Sequence, residues 1–242
     1  MPLFILYEIG IAWIHHNSLY EVRNLVDVFI KKGIAWCGLS GFFIGSIFLL
    51  LICILIIRPK QNFLVFRFSY FFLMMFESAV LAFVFVFCTR KSGSWFLLSL
   101  SSDGVELGKG LILSAGAGIY EEFLFRVILF GSGVYVCKRV FKMSSFAAVL
   151  CAGVISSILF SLSHYWGHLS DQFTVYSFLY RFGAGFFFCV LLRLRGFAVV
   201  VYTHTLYDIF VFLNFFSWIM GCDCCFISVC LNLSLPIYPV HS

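Results

Sequence analysis

Charge is what this sequence has least of: 11% of its 242 residues are Asp, Glu, Lys or Arg, against about a quarter in soluble domains. That shortage excludes a water-soluble globule, because the surface of a small domain must still be largely polar. A basic stripe interleaved with aromatic residues is missing too, so a nucleic-acid surface is not expected. The formal charge of +5 belongs instead to Lys and Arg flanking apolar segments. There is no internal repeat and no stretch with the composition of a soluble domain. The N-terminal stretch lacks the marks of a secretory leader: Met1 to Trp13 has no basic start and contains Glu8. It is followed by His15-His16-Asn17 where a small-residue cleavage site would stand. It reads as a short interfacial or partly inserted helix.

What the chain does have is apolar bulk. Hydrophobic residues make up 62%, with 33 phenylalanines, and the mean hydropathy is +1.05. Lipid is the solvent that suits such a surface, and a bilayer core takes about 20 apolar residues as helix. Six segments meet that measure: Ile34 to Ile57, Phe63 to Cys88, Gly108 to Cys137, Ser145 to Ser163, Phe173 to Leu192, and Phe197 to Met220. The two apolar ends are weaker candidates, since Asp223, Pro236 and Pro239 interrupt the tail after Gly221. Spanning segments must be helical, because lipid satisfies no unpaired backbone group. The expectation is an all-α, multi-pass integral membrane bundle of about six to eight spans, with membrane lipid as its surroundings. The organisation expected is an N-terminal membrane segment (1–107), a core (108–216) and a Cys-rich tail (217–242).

The Lys and Arg after the first, third and fifth spans (Arg58, Lys60, Lys138, Arg139, Lys142, Arg193 and Arg195) favour those loops as cytoplasmic. Of the 10 cysteines, six are scattered through apolar segments as small core residues. The other four, Cys222, Cys224, Cys225 and Cys230, have a spacing that matches no zinc pattern and read as unpaired thiols at a membrane border.

Ionisable groups inside a span cost about 2.5–3.5 kcal/mol each on insertion scales, so the few that occur carry structure or function. The third span holds Glu121, Glu122 and Arg126. Glu122 and Arg126 are four apart, about 40° round a helix from each other, and are expected to pair. Glu121 is rotated about 100° from Glu122 and faces a different neighbour. The fourth span ends Phe160-Ser-Leu-Ser-His164, and the sixth reads His204-Thr-Leu-Tyr-Asp208, which sets a His and an acid on one helix face. Such a pair can serve as glue between helices, or the acid can fix the imidazole tautomer. A buried Glu, two His and an Asp from three helices can do one of two things. They can activate a water through the Glu, with the His groups stabilising an oxyanion. Or Glu121, His164, His204 and Asp208 can hold a divalent metal such as zinc that polarises the water. Both end in hydrolysis of an acyl bond, and the sequence does not choose between them.

Glu-Glu-x-x-x-Arg, Phe-x-x-x-His and His-x-x-x-Asn/Asp, in that order on separate membrane helices, resemble the signature of the CPBP family. That family comprises the type II CAAX prenyl proteases and the bacteriocin-processing or Abi proteins. The resemblance covers roughly Gly108 to Phe216. It implies a helical bundle with an intramembrane cavity and an endopeptidase acting on a membrane-associated or lipidated peptide or protein. It further implies Glu121 as general base, His164 and His204 as its partners, and Glu122, Arg126 and Phe160 in support. Family members of the CAAX-protease type usually carry Asn where this chain has Asp208. An ionised Asp cannot donate to an oxyanion, so Asp208 is expected to orient His204 or bind metal. Two further readings accompany the protease: a non-catalytic bacteriocin-immunity or scaffold protein of the same family, and a proton-coupled transporter, which the absence of paired, Gly/Pro-broken helices disfavours.

Overall fold

The computed structural model describes residues 2–17, 25–36, 68–89, 104–166 and 172–213. Every element among them is helical. They are α1 (Pro2–Asn17), α2 (Leu25–Trp36), α3 (Phe68–Thr89), a long α4, α5 (Ser145–Ser163), α6 (Val175–Arg195) and α7 (Phe197–Phe212). The first expected span lies outside the described residues beyond Trp36. So do the end of the sixth span and the cysteine cluster at Cys222, Cys224, Cys225 and Cys230.

Local chemistry sets the helix ends. Ser144 and Thr174 cap α5 and α6, their hydroxyls accepting from Ala147 N at 3.3 Å and Ser177 N at 3.1 Å. The Thr174 cap moves the fifth span's start from the expected Phe173 to Val175. Gly196 is at once the last cap of α6 and the first of α7, with φ +86°. Only glycine takes that backbone region readily, and this single residue turns the chain so that α7 returns beside α6.

Among the described residues, three helices are long and apolar enough to cross a membrane: Ser69–Cys88, Ser145–Ser163 and Val175–Arg195. Pro2–Ile14 and Phe197–Phe212 are apolar but shorter. The outward faces carry bare phenylalanines such as Phe72, Phe76 and Phe146. In water they would aggregate; in lipid they lose nothing. The chain is an integral, multi-pass membrane protein.

Inside, small residues let backbones approach, as is usual where lipid removes the hydrophobic drive. The buried face of α5 is Ala148, Ala152, Gly153, Ser156, Ser157 and Ser161. On the other side, α1 lies against α4, packing Phe4, Tyr7, Ile11 and Ile14 on Ala115, Ile119, Tyr120 and Phe123. The N-terminal helix is therefore packed on the core along one face, with Ile5, Leu6 and Ile9 exposed on the other. Polar contacts fasten it. Tyr120 donates to Glu8 at 2.7 Å, Lys31 of α2 reaches Glu8 at 3.1 Å, and Tyr7 donates to Asp27 at 2.9 Å. Glu77, an acid in the middle of α3, is paired with Arg195 at the end of α6, whose Nη2 lies 2.6 Å from Glu77 Oε2.

Candidate active site

The site begins with an irregularity in α4. This helix runs as α-helix over Gly104–Gly116, winds as π-helix over Ala117–Glu121 and Phe123–Phe130, and returns to α-helix over Gly131–Arg139. It is longer than the expected third span. Wider π turns shift which carbonyls are bonded within the helix and are frequent at functional sites. Here the Phe125 carbonyl accepts from Ser156 Oγ of α5 at 2.6 Å. Glu121, Glu122 and Arg126 all lie in or beside the π segments.

Glu122 and Arg126 pair as expected: Arg126 Nε is 2.9 Å from Glu122 Oε2, and both side chains are fully buried. The angle falls short of a hydrogen bond, and the guanidinium nitrogens find no hydrogen-bond acceptor among the described residues. Aromatic faces take their place. The guanidinium carbon lies 4.3 Å from the centre of the Phe160 ring, 5.4 Å from Phe188 and 5.9 Å from Phe125. Desolvated cation–π contacts are worth about 2 kcal/mol. Arg126 is thus a caged charge that balances Glu122.

The other oxygen of Glu122 does what the sequence did not foretell. Oε1 lies 2.6 Å from Nδ1 of His204, so the Nδ1–H donates to Glu122 and Nε2 faces the other way. Asp208 Oδ2 is 3.6 Å from that Nε2, beyond hydrogen-bond distance. Asp208 thus stays in ion-pair range of His204, as the i,i+4 spacing leads one to expect, and Glu122 adds a shorter hold, because α4 and α7 touch where Gly118 faces Thr205. His204 is also stacked on Phe188, with ring centres 4.9 Å apart and planes 20° from parallel. Sequence reasoning missed Phe188, since one phenylalanine among 33 carries no signal of its own.

His164 closes α5. Its Nδ1 lies 3.0 Å from the Phe160 carbonyl, so Nδ1–H donates there and Nε2 takes no part in that bond. Its ring meets Phe160 edge-on, with centres 5.0 Å apart. Phe160 therefore touches His164 on one side and cages Arg126 on another, which accounts for its place in the motif. Glu121 is half-buried and close enough to His164, His204 and Asp208 to interact electrostatically with each. All seven singled-out residues are thus brought to one region, in which Arg181, Tyr180 and Tyr207 also take part.

The metal alternative fits poorly. Among the described residues, no three His, Cys, Asp or Glu side chains are gathered so as to hold a metal ion. His204 spends Nδ1 on Glu122, and His164 spends its own on a carbonyl. The set Glu121, His164, His204 and Asp208 is not assembled as a ligand sphere.

A multi-pass helical membrane protein with a buried acid–histidine site between its spans is the class that fold and site define. Residues 104–210 match the family model described as type II CAAX prenyl endopeptidase Rce1-like, and the matched stretch contains all three motifs. That match supports placing the segment in the CPBP, or type II CAAX protease, family. No curated protein and no solved structure matches the chain.

Proposed function

We propose that the protein is an intramembrane endopeptidase that hydrolyses a peptide bond of a membrane-associated or lipidated protein or peptide, using Glu121 to activate water. The observation that carries this reading is the gathering of three motifs from three helices about one buried imidazole. Glu122 and Arg126 hold each other, Glu122 holds His204, and Glu121 and His164 lie within electrostatic reach of each other.

Chemically, Glu121 takes a proton from water as the oxygen attacks the carbonyl carbon. The carbonyl becomes an oxyanion, which the imidazolium form of His204, its Nδ1–H held by Glu122, stabilises by donating Nε2–H. The tetrahedral species collapses, the C–N bond breaks, and the proton passes to the leaving amine. His164, with Nδ1 committed to its own helix, keeps Nε2 directed at the same water or amine. Glu122 and Arg126 are positioning residues: they fix the orientation of the His204 ring and carry no bond change. Phe160 and Phe188 exclude water from the caged charge. Asp208, half-buried, borders His204 on its Nε2 side.

The test uses the full chain purified in lipid nanodiscs with a quenched fluorescent prenylated peptide. Cleavage is expected, and Glu121→Ala and His164→Ala should each lower it at least about 100-fold, the usual scale of general acid–base catalysis. Thermal melting should confirm that both variants fold. Turnover that survives both substitutions sinks the assignment, and a folded wild type that cleaves nothing favours the immunity or scaffold reading.

A further inference from the structure

Two thiols meet across the hairpin of α4 and α5, at the end away from Glu121 and His164. Cys137 stands near the end of α4 and is buried; Cys151 lies in the second turn of α5 and is half-buried. Both are free cysteines, and their side chains are in hydrogen-bond contact.

The way the hairpin is built brings them together. α4 ends at Arg139 and α5 begins at Ser145, so the two helices run antiparallel through a short connection. Gly133 lets them approach: a Cβ there would lie 3.1 Å from Ala152 Cβ. One turn further along α4 is Cys137, and one turn back along α5 is Ala148, which is fully buried. Side chains on a helix lean toward its N-terminus. The Cys151 thiol therefore leans toward Ala148 and the Cys137 thiol toward Gly133, which closes the gap between the sulfurs. Of the other cysteines among the described residues, Cys189 touches Ser156 and Ser157, and Cys88 is exposed on α3.

We propose that Cys137 and Cys151 form a reversible disulfide that staples α4 to α5, with oxidised glutathione or a similar small disulfide as the oxidant. The Cys151 thiolate, from the more exposed of the two residues, attacks one sulfur of the small disulfide, whose S–S bond breaks and releases one thiol. Cys137 then loses its proton and attacks the Cys151 sulfur. The mixed disulfide breaks, the second small thiol leaves, and the Cys137–Cys151 bond remains. The two cysteines lose two electrons and two protons, and the small disulfide gains them.

Three features support the staple. A disulfide needs Cα atoms about 4.4–6.8 Å apart, and helices packed through small residues such as Gly133, Ala148 and Ala152 approach most closely. Lys138, Arg139 and Lys142 are exposed at this end of the hairpin, and their charge favours thiolates and draws in anionic glutathione. The same Lys and Arg place this end in the cytoplasm by the positive-inside rule, where thiols rest reduced and disulfides are transient and redox-sensing. The bond would join the two helices that carry Glu121 and His164 without touching either residue.

The experiment equilibrates the full chain in nanodiscs with reduced and oxidised glutathione, from fully reducing to fully oxidising ratios. Samples are quenched with acid, alkylated and mapped by mass spectrometry without reduction. Peptides joined through Cys137 and Cys151 should become the main product and vanish on treatment with dithiothreitol. Oxidation should raise the melting temperature by roughly 5–10 °C, the scale for closing a loop of about 15 residues. Cys137→Ser and Cys151→Ser should each abolish that shift, and Cys137→Ser should instead hold one glutathione on Cys151. The wild-type map reads the bond without any variant, so a variant that fails to fold leaves the test intact. Thiols at both positions that remain open to alkylation after full oxidation, bonding of either to another cysteine in the native protein, or a bond that forms only after unfolding overturns the proposal. A melting shift that persists in both variants overturns it too.

Discussion

Gly118→Ala is the change that most directly tests how the site is held together. A Cβ at Gly118 would fall on Thr205 Oγ1 and lie 2.9 Å from the Val201 carbonyl oxygen and 3.0 Å from the Thr205 nitrogen, all on α7. A threonine hydroxyl can rotate away, but backbone atoms cannot. Ordinary contact begins near 3.4 Å, so α4 and α7 must part by about 0.5 Å or more. Overpacking of this kind costs about 1–3 kcal/mol. Replacing a helical glycine by alanine otherwise gains about 0.5–1 kcal/mol. The clash with backbone outweighs the gain, so the net effect is destabilisation. The same shift stretches the 2.6 Å contact between Glu122 and His204, which begins one turn along α4 and ends next to Thr205, toward the outer limit of a hydrogen bond. Displacements near 1 Å at reacting groups cost about 100-fold in rate, so cleavage should fall tenfold to 100-fold. Thermal melting and turnover in nanodiscs measure the two effects. Gly183→Ala is the control: nothing lies within 4 Å of its Cβ, so it should stabilise by about 0.5–1 kcal/mol and leave turnover unchanged. A Gly118→Ala protein that melts at or above the wild-type temperature and cleaves within twofold of it refutes the close approach of α4 and α7.

Three other outcomes are expected. Glu122→Leu alone strands the buried Arg126 charge and should cost about 3–5 kcal/mol; adding Arg126→Met should restore most of the melting temperature but not the turnover, because His204 still lacks its partner. Tyr120→Phe removes the 2.7 Å bond to Glu8 and should lower stability by about 1.5–3 kcal/mol, the range for hydrogen bonds to charged groups, as measured by unfolding in mixed micelles. A strong chelator such as EDTA should leave Glu121-dependent cleavage intact, because no ligand sphere is assembled; loss on chelation with recovery on added zinc would reverse that reading.

Much of the fold was legible in the order of residues. Apolar runs of membrane length located the helices, and α5 begins and ends at the residues expected, Ser145 and Ser163. The i,i+4 spacing foretold the Glu122–Arg126 pair, which holds even through π winding. Less legible was what lies between helices. The role of α1 as packing for α4 was hidden because its apolar face has the composition of any interfacial segment. The second and closer partner of His204 was not legible for a physical reason. Residues four apart on one helix are the only neighbours a sequence displays, whereas Glu122 is 82 positions away. Phe188 and Arg181 were missed likewise, since a ring that stacks and a cation that points inward look the same in a sequence as those that face lipid.

The sequence alone therefore settles the solvent, the helical class and the set of residues able to do acid–base chemistry. Each of these follows from local composition or from spacing along one helix, and transfer energies do not depend on the fold. Tertiary structure decided which carboxylate comes closest to which imidazole, how Glu122 and three aromatic rings surround the Arg126 charge, and that the four candidate ligands do not gather as a metal site. Those outcomes depend on separations of a few tenths of an ångström between helices. Where Gly118 allows α4 to approach Thr205, and where Ser156 meets the Phe125 carbonyl in the π segment, packing between distant segments does what no stretch of the chain specifies by itself.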